Sequence, residues 1–190
     1  MGSGAVPRLR IGPVGPRLAL GIMVVTAVLA ATAVAARHQR GVVAIGWTEA
    51  PWQIPLDNWG RGKAWVSRTA DGAEMRLFAR TKTGFCNCFS GIANDDEIDR
   101  VGDVDLHGED FAPVAPGTTA SVGELSGRKR LFRTSGGWTG GRYVLSIVAA
   151  SDCKAVVATI VSSEPVPPEA EAAAIALLSA EPFRRWAEDQ

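Results

Sequence analysis

The sequence predicts an α+β protein: one N-terminal transmembrane helix, then a small antiparallel β domain of sandwich or barrel-like form, closed by a C-terminal helix. Three observations carry this expectation. Residues 18–36, LALGIMVVTAVLAATAVAA, hold no charged side chain. Downstream, runs such as EMRLFARTK and KAVVATIVSS have strand composition and lie between Gly- and Asp-rich turns. Finally, PPEAEAAAIALLSAE switches to strong helix formers with prolines and acids at its start.

The apolar run reaches about 28 Å as a helix, close to the roughly 30 Å hydrocarbon core of a bilayer. Arg8, Arg10 and Arg17 precede it; Arg37, His38 and Arg40 follow. The N-terminal side is slightly more positive, which favours an N-in, C-out orientation. Residues 1–17 then form a flexible cytoplasmic leader, 18–36 the span and 37–46 a linker. A cleaved signal peptide is the alternative, with Ala33-Val34-Ala35 as a small-x-small cleavage site. The apolar run exceeds an ordinary signal core, so the uncleaved anchor is preferred. Both readings export the remainder.

Residues 47–165 are assigned to the β domain. Its first part carries Trp47, Trp52, Trp59 and Trp65, with Pro51 and Pro55 between them. The prolines and Gly60/Gly62 exclude a long helix. The rings either cover the edge of a small core or, close behind the span, form a membrane-interface belt. Arg17, Arg37, Arg40, Trp47 and Trp52 are the interface candidates. KAWVSR and EMRLFARTK, joined across Asp71-Gly72, predict a hairpin. In the second strand Met75, Leu77 and Ala79 alternate with Arg76, Phe78 and Arg80, which predicts a half-buried strand with a polar outer face. LFRTS, GRYVLSIVAA and KAVVATIVSS predict further strands. The last two flank Ser151-Asp152-Cys153 as a central hairpin. Residues 166–190 are expected to be a helix packed on the sheet, broken or kinked at Pro182.

The whole chain has 20 basic and 20 acidic side chains, but none of the acids precedes residue 41. The exported part is therefore net negative, which argues against nucleic acid as a partner. The acid run NDDEIDRVGDVDLHGED predicts a solvated loop, with its charges also suited to a helix start. Within it Asp103 and Asp105 mimic the opening of a calcium loop, but Val114 stands where the closing Glu is needed. GRKR, residues 127–130, predicts a solvated turn that could pair with the acid run or with lipid headgroups.

There are three cysteines: Cys86, Cys88 and Cys153. In an oxidising compartment they predict one disulfide, between Cys153 and either member of the Cys-x-Cys, and one remaining thiol. Such a bridge closes a loop of about 65 residues, worth about 4 kcal/mol by chain entropy. The alternative is a zinc or copper site built from Cys86, Cys88, His107 and Cys153. Catalytic parts are scarce. Past the span His107 is the one histidine outside the linker, Ser90 lacks a nucleophile elbow, and no phosphate-binding Gly loop is present.

The strings WQIPLDNWGRGKAW, GFCNCFSG and DDEIDRVGD resemble those of a group of uncharacterised bacterial exported or membrane-anchored proteins. The resemblance covers residues 47–190 and implies a bacterial envelope setting, with no activity or cofactor attached. The expected protein is a single-pass inner-membrane protein with its C-terminal domain in the periplasm. It is expected to use no cofactor, to be non-catalytic, to touch lipid through residues 18–36 and to bind or brace an envelope protein. The alternative function is periplasmic metal handling or thiol redox chemistry, with zinc, copper or calcium as the ion.

Overall fold

A computed structural model describes residues 46–190, apart from 56, 70, 85–91, 137–141 and 152. The expected leader, span and linker, including Arg17, Arg37 and Arg40, lie outside the described residues. Among the described residues, no helix is long and apolar enough to cross a membrane.

The strands are β1 (Thr48–Ala50), β2 (Lys63–Arg68), β3 (Glu74–Thr83), β4 (Asp110–Pro113), β5 (Thr118–Val122), β6 (Leu125–Ser135), β7 (Arg142–Ser151) and β8 (Lys154–Ser162). Helix α1 (Asp95–Val101) and a 3-10 turn (Val104–His107) lie between β3 and β4; α2 (Pro168–Ser179) and α3 (Glu181–Glu188) end the chain. All the pairings are antiparallel, in the order β1-β2-β3-β8-β7-β6-β4, with β5 also on β6. This is one eight-stranded sheet rather than two stacked sheets or a closed barrel. The strand patterns predict pairing; they do not say whether strands share a sheet.

The β2–β3 and β7–β8 hairpins form as the sequence predicts, and β7 and β8 are central. Cys153 turns the β7–β8 hairpin at φ 65°. Its Ser151↔Lys154 register leaves two residues for the turn, a length that favours positive φ.

One face of the sheet is covered by α2 and α3. Leu77, Ile147 and Ile160 on three adjacent strands meet Ala170, Ala174 and Leu178 of α2, and Phe183 of α3, in one apolar cluster. The alanines let α2 lie close to the strands. The expected single C-terminal helix is two. Pro182 cannot continue a helix, because its ring would meet the carbonyl four residues back. The chain therefore leaves helical geometry at Ala180 (φ −72°, ψ 147°) and restarts.

The opposite face is also covered, which the alternation in β3 did not predict. Phe78 and Arg80, placed outward by the sequence pattern, are buried, and so is Lys82 two residues along. The cover comes from the 51–62 segment, α1 and the 3-10 turn. Trp52 meets Phe78 edge-on at 5.6 Å between ring centres. Ile98 and Val101 of α1 pack with Val148 and Val157. The acid run is thus an ordered helix and turn rather than a solvated loop. Asn94 caps α1 by accepting from the Glu97 N–H at 3.0 Å, and the Glu97 carboxylate accepts in return from the Ala93 N–H. Its three first-turn acids suit the helix N-terminus.

GRKR pairs with the acid run, as the sequence allowed, through Arg128–Asp95 and Arg130–Asp99, but its place departs from expectation. It lies inside β6, not in a turn, with Arg128 and Arg130 on the α1 side and Lys129 on the α2 side. Period two explains this: consecutive cations in a strand face opposite sides of a sheet that is covered on both.

Two substitutions check the packing. Leu178→Ala should lower stability by about 2–5 kcal/mol, read from urea unfolding, because Leu178 is fully buried where α2 meets the sheet. Gly127→Ala should cost more than about 2 kcal/mol, since a Cβ there would overlap the Val148 carbonyl oxygen of the neighbouring strand.

Candidate functional site

The strongest concentration of charged groups lies on the face of the sheet covered by α1. Arg80 projects from the middle of the sheet with 2% exposure. Its guanidinium makes two paired contacts. Nε and Nη2 donate to Asp103 at 2.6 and 2.7 Å, and Nη1 and Nη2 donate to Asp57 at 2.6 and 2.7 Å. Lys82, two residues along the strand, pairs with the same Asp103 carboxylate and donates to the Val101 carbonyl at 3.0 Å. The Trp59 ring covers its ammonium at 5.4 Å.

Local chain geometry delivers both carboxylates. Asp103 follows the α1 C-cap Gly102 and adopts left-handed φ 56°, which Asp tolerates better than most residues. Gly102 is required there because a side chain would run into Ser146 of β7, whose hydroxyl donates to the Gly102 carbonyl at 2.9 Å. Asp57 caps its own turn by accepting from the Trp59 N–H at 2.8 Å. Two cations and two carboxylates thus meet in a formally neutral set, buried except at Asp57.

Burial opposes the charge on Arg80, but the hydrogen bonds to Asp103 and Asp57 outweigh it and hold the guanidinium above its ordinary range. Its hydrogen bonds to Asp57 hold that carboxyl below the usual range. The same face repeats the pattern on β6. Arg128 pairs with Asp95 at 2.6 Å, and Arg130 with Asp99 at 2.7 Å. Asp95 is held low first by the Gly117 N–H and then by Arg128.

The residues nominated from sequence fall in different places. Asp103 is buried, and its carboxylate is taken up by Arg80 and Lys82, whose positive charge occupies the side where a metal cation would need to bind. Asp105 is exposed in the 3-10 turn. These two do not form a calcium site in this conformation.

His107 is fully buried; its Nε2 lies 2.7 Å from Thr159 Oγ1, and its ring centre is 5.4 Å from that of Phe78. Burial pushes the imidazole down to about 4, so it is neutral at pH 7. Cys153 sits in the β7–β8 turn, while Cys86 and Cys88 lie outside the described residues. Thr159 is six positions beyond Cys153, roughly 20 Å along a strand. His107 and Cys153 therefore do not meet around one ion. Among the described residues, no three His, Cys, Asp or Glu side chains gather into a metal-binding group.

Trp47 packs against the apolar cluster under α2 and α3, and Trp52 against the cluster containing Phe78. The exposed large apolar side chains among the described residues are Trp59, Phe111 and Val114.

No family model matches the chain, and no curated protein matches it in sequence. Function has to be argued from the chemistry of these groups. Arg80, Lys82 and Asp103 are buried against one another, and Asp57, the one member open to solvent, is held by the Arg80 guanidinium. The chemical capacity of this set is to fix the 51–62 segment and the α1 turn to β3. Sequence reasoning missed it because Arg80 and Lys82 sit at positions that alternation assigns to water. The available signal was complementarity: a row of cations on β3 and β6, and a single dense acid run between them in the chain.

Asp103→Asn keeps the shape and tolerates the backbone but leaves buried positive charge uncompensated. It should cost about 3–5 kcal/mol by urea unfolding, and Asp57→Asn, whose side chain is more exposed, should cost less. A second check uses pH. His107 binds its proton near 6.5 when unfolded and near 4 when folded, so the unfolded chain holds more protons between those values. Its contribution is fully present above about pH 6.5 and is lost as pH falls toward 4, about 3 kcal/mol in all. His107→Gln should flatten the unfolding midpoint across that window.

Proposed function

We propose that residues 47–190 form an exported, non-catalytic domain that binds or braces an envelope component, held at the inner membrane by residues 18–36. The observation that carries the non-catalytic part is the internal use of the two best chemical candidates. His107 is closed against Thr159 and Phe78, and Asp103 against Arg80 and Lys82. A general acid or base has to reach substrate, and neither group does so.

Export rests on the uncharged span and on the cysteines. The Gly84 N–H donates to the Cys153 carbonyl at 3.1 Å, and Thr83 pairs with Lys154. This places the chain just ahead of the Cys-x-Cys beside the β7–β8 turn. Cys86 lies two residues beyond Gly84, a reach of about 7 Å, and Cys88 four. We assign the partner of Cys153 to one of these two, leaving one thiol. A structural disulfide belongs to an oxidising compartment, in line with a periplasmic domain. The span itself supplies the lipid contact. A net-negative domain gives no support to nucleic acid as a partner.

Two measurements test this reading. An alkaline phosphatase fused after residue 190 should be active in intact bacteria, and a cytosolic fluorescent reporter at the same point should be dark; the reverse would overturn export. Denatured, unreduced protein should react with one equivalent of a thiol reagent and, after reduction, with three. Three before reduction would overturn the bridge.

A further inference from the structure

The chain contains one Asp-Gly pair, Asp71-Gly72, and no Asn-Gly. Both residues are exposed in the turn of the β2–β3 hairpin. An aspartate followed by glycine carries a latent reaction. The Gly72 main-chain nitrogen can attack Asp71 Cγ, because a residue without Cβ leaves that nitrogen unhindered. A Cγ–N bond forms and the Cγ–OH bond of the carboxylic acid breaks. The departing hydroxyl takes the amide proton and leaves as water, and a cyclic imide remains. Water then opens the imide. Attack at Cγ restores aspartate. Attack at the Asp71 main-chain carbonyl carbon leaves the chain running through Cγ, as isoaspartate.

The folded turn engages both reacting groups through one residue, Thr69. The Gly72 N–H donates to the Thr69 carbonyl at 3.0 Å, and the Thr69 N–H donates to the Ala73 carbonyl at 2.9 Å. Gly72 has φ +90°, which glycine adopts without strain, so the turn closes with that nitrogen directed at Thr69. The Thr69 hydroxyl donates to the Asp71 carboxylate. The Ala73 carbonyl, at 3.3 Å, is the more distant acceptor for the same proton.

Thr69 thus holds the nucleophile with its carbonyl and the electrophile with its hydroxyl. The hydroxyl, helped by the main-chain N–H groups of Asp71 and Ala73, also keeps the carboxyl below the usual carboxylate range. An ionised carboxylate is a poorer electrophile than the acid, which can lose water. Charge and geometry therefore act in the same direction.

We propose that Asp71 is the chain's principal site of isoaspartate formation and that Thr69 restrains the reaction by holding both reacting groups. The conversion adds a methylene to the main chain between β2 and β3. The pairs next to the turn are Arg68↔Glu74 and Ser67↔Met75, and Met75 is fully buried. A lengthened turn works against the register that keeps Met75 inside. The proposal goes beyond the envelope role above and does not depend on it, since it uses the β2–β3 turn alone.

The test incubates the full chain in detergent for weeks at mildly acidic pH. Isoaspartate is located by peptide mass spectrometry and counted by enzymatic methylation of isoaspartyl carboxylates. It should form at Asp71 faster than at any other aspartate, yet severalfold slower than in the same chain denatured in guanidinium chloride. Thr69→Val removes the hydroxyl at nearly constant shape and should speed the reaction about fivefold, the factor that one ordinary hydrogen bond is worth. Thr69→Ser keeps the hydroxyl and should stay near the wild-type rate. An unchanged urea midpoint shows that the variants are folded; should Thr69→Val shift it, Thr69→Ala makes the same comparison. Isoaspartate spread over the aspartates without excess at Asp71 overturns the site. A folded variant that lacks the hydroxyl and reacts at the wild-type rate overturns the role of Thr69. Neither outcome bears on the reporter and thiol measurements, so the two readings fail separately.

Discussion

The domain is organised by the need to neutralise two cations buried on a central strand. Arg80 and Lys82 lie on β3, which pairs with β2 on one side and β8 on the other. Both side chains are removed from water. An unpaired buried charge costs several kcal/mol, enough to unfold a marginally stable domain. The α1 turn and the 51–62 segment are therefore required as sources of Asp103 and Asp57, and not merely as covering. A pair of well-packed apolar residues could be as stabilising. What the ions add here is geometry, because each carboxylate accepts two directed bonds from a planar guanidinium.

The two faces of the sheet are closed by different physics. Toward α2 and α3 the contact is hydrophobic, with alanines allowing close approach. Toward α1 it combines apolar anchors, Ile98 and Val101, with a layer of charge pairs running from Asp57 and Asp103 to Asp95 and Asp99. Pairs on the β6 side are partly open to solvent and are each worth little. The Arg80–Asp103–Lys82 part of the other set is enclosed, so its electrostatics are screened less by salt, while Asp57 opens to solvent. His107 lies between these regimes, kept neutral by the same enclosure that keeps Arg80 charged. The difference lies in partners: Arg80 has two carboxylates, and the imidazole Nε2 has a hydroxyl.

The longer strands, β2, β3, β7 and β8, were legible because they rest on local signals, whereas the short β1, β4 and β5 and the first half of β6 were not expected. Asp71-Gly72 marks the β2–β3 turn, and the short Ser-Asp-Cys break separates two hydrophobic runs. The C-terminal helical composition was equally local. What sequence did not resolve depends on layers. Alternation on β3 distinguishes two faces but cannot say that both are covered. It therefore sent Arg80 and Lys82 to water. GRKR failed for the same reason, since four polar residues look like a turn unless both faces have partners. The acid run was expected to be solvated because its charge outweighed the capping pair, Asn94 and Glu97, although Ile98 and Val101 were legible as possible anchors. The count of strands likewise carried no information on whether they share one sheet, so a sandwich or barrel was expected. In the candidate site, Asp103 was nominated as a ligand for a cation, but its partners are cations of the chain itself.

The β3–β8 pairing joins stretches separated by roughly seventy to ninety residues of chain, from Thr83↔Lys154 to Met75↔Ser162. Such a seam closes late, because loop entropy opposes it until the distant strand has been made. Until residues 154–162 emerge from the ribosome, β3 has only β2 beside it, and its guanidinium has no finished shelter. An immature chain in that state stays threadable. Any process that needs an unfolded chain therefore has its opening before the last strand is made.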